Sequence, residues 1–489
     1  MFRLCAILFL LTTSPLSAQV IEVSEDDRIQ PAGIQNGDYF GASVALDGDV
    51  AVISEIQPNA GVPSGSVHVF RRTGGVWVEE QEILGLNSLA RFGETVAVDG
   101  NVLVVEQSGA LGPAGAAHVF RFNGTNWQFE ALLSPPPAVT SSFPKAISVQ
   151  GNTIAVGEYF RDQSAGEVSI FEFDGAVWNY TELLVPADRS TGDQFGASVL
   201  FDGDFLFIGA TGDRDFGSVQ GSVYVYQHNG ISWVEVAELH SSDGEVGNSF
   251  GLELAARGEI LVVGAPTSDS GGAADAGAAY VFRDFGSGFT EEQKLTAADA
   301  PLMGSFGAAV ETDGQRILIG SPGRTGPAGF WYGRIDVYGF DGSEWVADRF
   351  LQNSDGSDFD QLGDSIAFDG TRVLSTLPGY DATVTSFQPD GAVNVYELES
   401  EFVRGDCNGS GGIDVADPVF LLDSLFTSGI PVLCDDACDG NDDGGVNLAD
   451  AISLLSALFA GGTPPPAPNS CGGDPTADAL GCAEFSICP

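Results

Sequence analysis

A Phe-Gly dipeptide recurs along most of this chain at an almost constant interval. The intact copies begin at Phe40, Phe92, Phe195, Phe250 and Phe306, and two degenerate copies, Phe143-Pro144 and Leu362-Gly363, fill the remaining places. Successive copies are 52, 51, 52, 55, 56 and 56 residues apart. Because a fixed period of this length is typical of repeat architectures, the chain should contain seven copies of one supersecondary unit.

Each repeat contains the same order of strand and turn signals. An alternating apolar stretch follows the Phe-Gly pair, and a turn ending in Gly leads to a second apolar stretch. Such turns need a positive φ and are the usual signal of a short β-hairpin. They are Asp47-Gly48, Asp99-Gly100, Gln150-Gly151, Asp202-Gly203, Arg257-Gly258, Asp313-Gly314 and Asp369-Gly370. A third strand that begins with Gly and a fourth that begins near an aromatic residue complete the repeat.

Four strands in each of seven units predict an all-β, seven-bladed β-propeller over residues 19–403. A linear solenoid is the alternative, but four antiparallel strands per repeat favour blades. Two segments compete to complete the seventh blade: residues 20–23 before the first repeat, and residues 402–404 after the last. The sequence does not decide between them.

The repeats resemble the FG-GAP repeats of integrin α-subunit propellers and of their bacterial secreted relatives. Besides the Phe-Gly pair, Gly-Ala-Pro-like triplets end the second strand, as in Gly264-Ala265-Pro266. The resemblance implies the propeller fold. Integrin-type blades often carry an Asp-rich calcium loop between the first two strands. Here that connection is a turn too short to encircle an ion, so no calcium is expected in the blades.

The propeller shows no recognisable catalytic set. The two positions after each Phe-Gly pair are expected near the central channel, where the charged residues are Glu94, Lys145, Glu253 and Asp364. His68 and His118 share one third-strand position and are interpreted as packing inside their blades. Because neither a Ser/His/Asp set nor a paired-carboxylate set emerges, no catalytic residue is predicted.

The charge balance restricts the partners of the chain. It has 68 acidic and 19 basic residues, for a formal net charge of −49. Such a chain repels phosphate backbones and anionic head groups, which excludes nucleic acid and electrostatic membrane docking.

The first residues predict export. Arg3, an apolar run over residues 4–11 and a small-residue site ending at Ala18 form a secretion signal over residues 1–18. The apolar run is far shorter than the roughly 20 residues that a spanning helix needs, and no membrane span is expected elsewhere. We therefore expect a secreted protein, extracellular or at the cell surface.

Cysteine placement marks a second region after the propeller. Apart from Cys5 in the signal, the cysteines are Cys407, Cys434, Cys438, Cys471, Cys482 and Cys488. An even number in an exported chain predicts disulfide bonds, and the 15 pairings that six cysteines allow stay open. We expect a small domain over residues 404–462 and, stapled to it, a Pro/Cys-rich tail over residues 463–489.

Two acidic loops in this region share one template and lie 33 residues apart. Oxygen-bearing side chains at positions 1, 3, 5, 9 and 12, with Gly at position 6, are the pattern of calcium loops. We predict that the two loops bind one Ca²⁺ each. The expected ligands of the first are Asp406, Asn408, Ser410, Gly412, Asp414 and Asp417, and those of the second are Asp439, Asn441, Asp443, Gly445, Asn447 and Asp450. Gly412 and Gly445 would contribute carbonyl oxygens.

An apolar helical pattern follows each loop. Leu421, Leu422, Leu425 and Phe426 recur as Leu454, Leu455, Leu458 and Phe459, a stripe suited to pairing two helices. The two loop–helix units resemble a type I dockerin, which implies a cohesin-like or cell-surface protein as partner. Ser410 at position 5 departs from the dockerin pattern. Val415 and Leu448 also depart from it, because dockerins of cellulose-degrading complexes typically show Ser/Thr-type recognition residues there.

The sequence therefore supports the hypothesis of a secreted, non-catalytic binding, adhesion or scaffold protein. Its propeller would present a platform for a polysaccharide or protein ligand, and its dockerin-like domain would be a calcium-dependent anchor. Two alternatives stay open: a carbohydrate-active propeller enzyme, such as a glycoside hydrolase or lyase, and a propeller lectin, either of them delivered by the same domain.

Overall fold

A computed structural model gives the fold of the chain. It describes residues 21–32, 34, 37–56, 65–85, 91–108, 115–134, 146–214, 219–244, 246–269, 272–299, 301–325, 331–355, 359–381, 390–398, 403–408, 412–426, 432 and 434–466. The predicted secretion signal, the predicted ligand Ser410 and the cysteines Cys471, Cys482 and Cys488 lie outside these ranges.

Two short strands precede the repeats, and four strands form each of the first three blades. The N-terminal strands are β1 (Ile21–Ser24) and β2 (Asp27–Ile29). Blade 1 contains β3 (Phe40–Asp47), β4 (Val50–Glu55), β5 (Ser66–Thr73) and β6 (Val76–Leu84). Blade 2 contains β7 (Arg91–Asp99), β8 (Val102–Ser108), β9 (Ala116–Phe122) and β10 (Trp127–Leu133). Blade 3 contains β11 (Ala146–Gln150), β12 (Thr153–Gly157), the single turn α1 (Arg161–Ser164), β13 (Val168–Phe173) and β14 (Trp178–Leu184).

The last four blades repeat this plan. Blade 4 contains β15 (Phe195–Asp202), β16 (Phe205–Ala210), β17 (Ser222–His228) and β18 (Trp233–Leu239). Blade 5 contains β19 (Leu254–Arg257), β20 (Ile260–Ala265), β21 (Ala278–Asp284) and β22 (Phe289–Leu295). Blade 6 contains β23 (Val310–Thr312), β24 (Arg316–Gly320), β25 (Ile335–Phe340) and β26 (Trp345–Gln352), and blade 7 contains β27 (Ile366–Phe368), β28 (Arg372–Leu377) and β29 (Ala392–Glu397).

These strands form seven separate sheets, each ordered from the first strand of its blade to the last. The first strands of successive blades contact one another around a full circle, including β27 of blade 7 against β3 of blade 1. The second strands are almost entirely buried, since both faces of each sheet pack on neighbouring blades. The prediction of a seven-bladed propeller is confirmed, and a linear solenoid is excluded.

The N-terminal segment closes the ring, but not with the residues expected. Strand β2 pairs antiparallel with β29, with Ile29 opposite Val393, and is the outermost strand of blade 7. Strand β1 instead adds to blade 6 as a fifth strand, parallel to β26. Residues 27–29 thus close blade 7, whereas the sequence left residues 20–23 and 402–404 as alternatives, of which Phe402 lies outside the described residues. Ile29 is the apolar side chain that fills the core between blades 7 and 1.

The Phe-Gly motif joins each blade to the one before it. The Phe side chain is buried in its own blade, and its backbone lies against the Gly that begins the third strand of the preceding blade, as in the Phe195–Gly166 bridge. A Cβ atom on Gly166 would lie 1.9 Å from the carbonyl oxygen of Phe195. The same bridge links Phe40 to Gly391 across the closure of the ring. The same kind of bridge recurs with Phe306 and, in the degenerate copy, with Leu362, so the motif is repeated because these blade-to-blade contacts use it.

The Asp-Gly turns also link neighbouring blades. The carboxylate of Asp47 accepts a hydrogen bond from the backbone N–H of Gly100 at 2.6 Å, and Asp202 accepts one from Gly258 at 2.7 Å. These side chains therefore have a structural role in holding neighbouring blades together.

The small domain after the propeller is helical. It contains α2 (Ala416–Phe426), the single turn α3 (Asp435–Cys438) and α4 (Leu448–Phe459). Helices α2 and α4 pack against each other, with Leu421 and Leu454 fully buried. Among the residues described here, no helix is both long and apolar enough to cross a bilayer.

Candidate functional site

The two acidic loops of the small domain adopt the same local structure. Asp417, at position 12 of the first loop, accepts hydrogen bonds from the backbone N–H groups of Asn408 at 3.2 Å and Asp414 at 2.7 Å. Asp450, at position 12 of the second, accepts them from Asn441 at 3.3 Å and Asn447 at 2.8 Å. In both loops, the backbone N–H groups at positions 3 and 9 therefore donate to the carboxylate at position 12 over nearly equal distances. This agreement supports treating the loops as two copies of one site.

Each loop encloses oxygen atoms that its own polypeptide does not satisfy. Asp406, Asp417, Asp439 and Asp450, which open and close the loops, are fully buried. The side-chain oxygens Oδ1 of Asn408 and Asn441 are buried and have no hydrogen-bond partner among the described residues. A buried polar atom without a partner costs free energy, and two carboxylates beside it repel each other. A bound cation with oxygen ligands would relieve both costs, so the donor set fits Ca²⁺.

The other predicted ligands occupy more open positions. Asp414 and Asn447, at position 9, accept hydrogen bonds from the N–H groups of Ala416 and Ala449 and so cap helices α2 and α4. Asp443 and Gly412 are exposed, and Gly445 is half-buried. The structure therefore buries the side chains at positions 1 and 12 and the side-chain oxygen at position 3, and the ligand role of every predicted position stays a prediction.

Burial changes the ionisation of the closing carboxyl groups. Burial, together with the charges of Asp406 and Asp414, raises the pKa of Asp417 to about 6. Burial and the neighbouring Asp439 raise the pKa of Asp450 to about 6 in the same way. The pKa of Asp439 is lowered, because backbone N–H bonds from Gly444 and Asp443 outweigh its burial.

Two features that sequence reasoning did not identify hold the loops together. A disulfide joins Cys407, inside the first loop, to Cys438, directly before the second, with Cα atoms 4.5 Å apart. Arg404 is fully buried, donates to the carbonyl oxygens of Asp436 and Asp439 at 3.2 Å each, and pairs with Asp442 at 3.1 Å. The loops are therefore positioned relative to each other by covalent and ionic links.

The helical stripe predicted to pair α2 with α4 is only partly used for pairing. Phe426 and Phe459 are 67% and 71% exposed, so the expectation that they lie between the helices is wrong. Leu421 and Leu454 fill the interface, and the Phe rings lie beyond it, at the last residue of each helix. Other exposed apolar pairs recur at the 33-residue offset: Val415 with Leu448, and Val419 with Ile452.

A second cluster of carboxyl groups converges near the propeller axis. The enclosing blades and the charge of Asp364 raise the pKa of Glu253, and the same surroundings and the charge of Glu253 raise the pKa of Glu311, although Glu253 keeps an exposed surface and Glu311 is half-buried. Burial also raises the pKa of Asp364. Glu253 and Asp364 belong to blades 5 and 7, so their interaction must cross the space between those blades. The sequence placed both near the channel but did not identify Glu311.

The paired histidines His68 and His118 occupy equivalent slots with opposite surroundings. Both rings pack edge-on against the Phe of their own Phe-Gly motif, at 5.5 Å. His118 otherwise lies beside Phe129, and burial lowers its pKa to about 4. Burial of His68 acts in the same direction, but hydrogen bonds to Glu55 and Glu79 outweigh it and raise the pKa. The interpretation as blade packing therefore describes His118 fully and His68 only in part.

Replacing His118 should make the propeller more resistant to acid. The pKa of folded His118, about 4, lies below the ordinary value of 6.5, so the unfolded chain takes up the proton first as the pH falls. Its contribution to stability is present above pH 6.5 and is lost between pH 6.5 and pH 4. Between pH 6.5 and pH 4, the free energy of unfolding of the His118→Phe variant should fall by about 3 kcal/mol less than that of the unmodified protein. Unfolding temperatures across this pH range measure it, with His228→Gln as control, and identical pH profiles for His118→Phe and the unmodified protein would contradict it.

Comparison with known proteins gives a family match for part of the propeller. Residues 23–70, 178–226 and 233–282 match the FG-GAP repeat family. No curated protein matches the chain. Among solved structures, it is similar to a putative 6-phosphogluconolactonase from Bacteroides uniformis, with a TM-score of 0.44 and 12% identity over 65% of this chain and 85% of that one. It is also similar to a protein from Lactobacillus plantarum, with a TM-score of 0.47 and 13% identity over 71% of this chain and 99% of that one. The large region is a seven-bladed β-propeller that carries FG-GAP repeats, a fold that supports a binding or scaffold role.

Proposed function

We propose that the chain is a secreted binding protein whose small domain is a calcium-dependent, dockerin-like anchor for a cohesin-like protein. The propeller would then be a platform that presents a ligand-binding surface to a polysaccharide or protein. The observation that carries the proposal is the pair of matching loops, each with buried aspartates at positions 1 and 12 and an unpartnered Asn oxygen at position 3.

Calcium would be held chiefly by Asp406, Asn408 and Asp417 in the first loop and by the matching Asp439, Asn441 and Asp450 in the second. Calcium prefers carboxylate, amide and carbonyl oxygens, and the loops offer no softer ligand. The bound ion supplies positive charge that offsets the buried carboxylates. The Cys407–Cys438 disulfide and Arg404 fix the distance between the loops, so that two filled loops would present helices α2 and α4 as one rigid unit.

The exposed apolar residues of the small domain supply the surface for a protein partner. Val415 and Leu448 are 52% and 46% exposed, and Val419 and Ile452 are each 58% exposed. Apolar side chains exposed at equivalent positions of both repeats form a surface that a protein partner can cover. Because calcium fixes the loops that begin these helices, the geometry of this surface depends on calcium.

The anchor proposal predicts binding that needs both calcium and the apolar pairs. The full chain should bind a member of a panel of type I cohesin domains in calcium and release it in chelator. Val415→Asp with Leu448→Asp should weaken binding about 100-fold, which corresponds to roughly 2.7 kcal/mol. Surface plasmon resonance measures binding in calcium and in chelator, and binding of the variant and of the unmodified protein. Ile231→Asp, at a 91% exposed position of the propeller, is the matched control and should bind like the unmodified protein. Binding that survives chelator, or no binding to any cohesin, would refute the proposed anchor.

The alternative of a carbohydrate-active enzyme has one observation in its favour. The pKa of Glu253 is raised by its surroundings and by Asp364, and a raised carboxyl pKa is what a general acid in glycoside hydrolysis needs. Assays of the full chain on a panel of polysaccharides test this alternative. Activity that Glu253→Gln abolishes would replace the non-catalytic proposal for the propeller and leave the anchor proposal unchanged.

A further inference from the structure

Blade 1 contains a group of charged side chains that propeller packing does not require. The Nε2 atom of His68 lies 2.8 Å from Oε2 of Glu55, and its Nδ1 atom lies 2.8 Å from Oε1 of Glu79. Glu82, on the neighbouring strand β6, is the register partner of His68 on β5. Glu55, His68 and Glu82 each have a potential ligand atom that lies within 4.8 Å of those of the other two residues.

The hydrogen-bond geometry requires either a proton or a metal ion between Nε2 of His68 and Oε2 of Glu55. A carboxylate only accepts hydrogen bonds, so Nδ1 must donate its proton to Glu79. Ser66 Oγ donates to Glu55 Oε2 at 2.8 Å and thereby orients that carboxylate. Nε2 of a neutral imidazole and Oε2 of Glu55 are then two acceptors that face each other. Either a second proton on the ring or a metal ion must lie between them.

The equivalent position of blade 2 shows that the fold does not need this charge. In the strand register, His118 of blade 2 corresponds to His68 of blade 1. Gln107 then corresponds to Glu55, Leu132 to Glu82 and Ala116 to Ser66. Phe129 takes the place of Glu79. Blade 2 nevertheless closes in the same way, with a neutral His. Since burying charged groups costs free energy, a structural role alone does not account for the group in blade 1.

We propose that Glu55, His68 and Glu82 form a binding site for a divalent transition-metal cation, with zinc as the best fit. One imidazole and two carboxylates are a donor set that zinc accepts and that the all-oxygen preference of calcium disfavours. Bonds of about 2.0–2.2 Å around a tetrahedral zinc ion place ligand atoms about 3.4 Å apart, so small side-chain adjustments would complete the site.

The surroundings of the three residues match those of a metal site. The Nδ1–H bond from His68 to Glu79 is the carboxylate–histidine–metal arrangement that orients an imidazole ligand. Glu55 and His68 are only 4% and 5% exposed, whereas Glu82 is exposed and leaves a path for the ion to enter. The fourth coordination position would face this opening and hold water or a ligand atom. The site lies on the propeller and is independent of the two calcium loops.

Zinc binding by the full chain in excess calcium tests the proposal, because the calcium loops are then filled. Calorimetry should detect one zinc equivalent in the unmodified protein, and Co²⁺ used as a spectroscopic substitute should give visible absorption. His68→Gln and Glu55→Gln should abolish this binding, and His118→Gln, the matched control from blade 2, should leave it unchanged. Glu79→Gln should weaken it by about 10–100-fold, because Glu79 orients the ligand without contacting the metal.

The exposed position of Glu82 keeps the test valid if the buried variants fail to fold. Glu82→Gln removes a ligand without changing the core and should weaken zinc binding while leaving the unfolding temperature of the metal-free protein unchanged. No zinc uptake by the unmodified protein would show that a proton bridges His68 and Glu55, and the proposal would be wrong. Equal zinc uptake by the unmodified protein and the Glu82→Gln and His68→Gln variants would also overturn it.

Discussion

Removing calcium from the full chain should loosen residues 404–466 and leave the propeller intact. Without the ion, the aspartates at positions 1 and 12 of each loop repel each other, and the buried oxygens of Asn408 and Asn441 have no hydrogen-bond partner in the part of the chain that the structure describes. An ion that binds only the folded state stabilises it by about 4 kcal/mol per site at 1,000 times its dissociation constant. The Cys407–Cys438 disulfide limits how far the calcium-free domain can open.

Hydrogen exchange in calcium and in chelator measures this effect. Backbone amides that donate to the closing aspartates, such as those of Asp414 and Asn447, should exchange much faster in chelator. Amides of the blades should be unaffected. Asp439→Ala should reproduce the chelator result in the second loop only, whereas Asp47→Ala, in a turn of blade 1, should not affect the small domain. Unchanged protection of both loops in chelator would show that calcium does not stabilise them.

Gly166→Ala should destabilise the propeller by roughly 3 kcal/mol or more. Gly166 has a φ of +83°, and an added Cβ would lie 1.9 Å from the carbonyl oxygen of Phe195 and 2.6 Å from its backbone nitrogen. Both atoms belong to the backbone of the next blade, so the contact can be relieved only by separating blades 3 and 4. The thermal unfolding midpoint of the full chain gives the size of the effect.

A matched substitution separates this steric conflict from the cost of a positive φ. Gly175 has a φ of +96°, and an added Cβ would meet no atom within 4 Å. Gly175→Ala should therefore cost only about 1–2 kcal/mol, from the left-handed backbone alone. Equal destabilisation by the two substitutions would mean that the blade-to-blade contact at the Phe-Gly motif is not a source of stability.

The propeller could be predicted from the sequence because the same physical requirement recurs seven times. Phe195 and its counterparts must fill a blade core, and the Gly of each motif must tolerate a close neighbour, so both residue types reappear at a fixed interval. The closing strand was not predicted, because it occurs once. Residues 21–24 and 27–29 are both short and extended, and only the position of Ile29 against Val393 selects the second.

The site residues that were missed depend on contacts between distant strands. Glu55, Glu79 and Glu82 are ordinary acidic residues in the sequence, and they surround His68 only because of the register of β4, β5 and β6 and the irregularity between Val69 and Phe70. Glu311 interacts with Glu253 only because blades 5 and 6 pack side by side. The two acidic loops could be recognised from the sequence, because all their expected ligands lie within 12 consecutive residues of each loop.

Calcium titration of the full chain, followed by calorimetry, tests the proposed anchor most directly. The two matching loops predict two calcium equivalents for the unmodified protein. Asp406→Ala with Asp417→Ala should remove one equivalent, and Asp439→Ala with Asp450→Ala should remove the other. The absence of any calcium heat at millimolar metal, or heat that both pairs of substitutions leave unchanged, would contradict the assignment of the small domain as a calcium-dependent anchor.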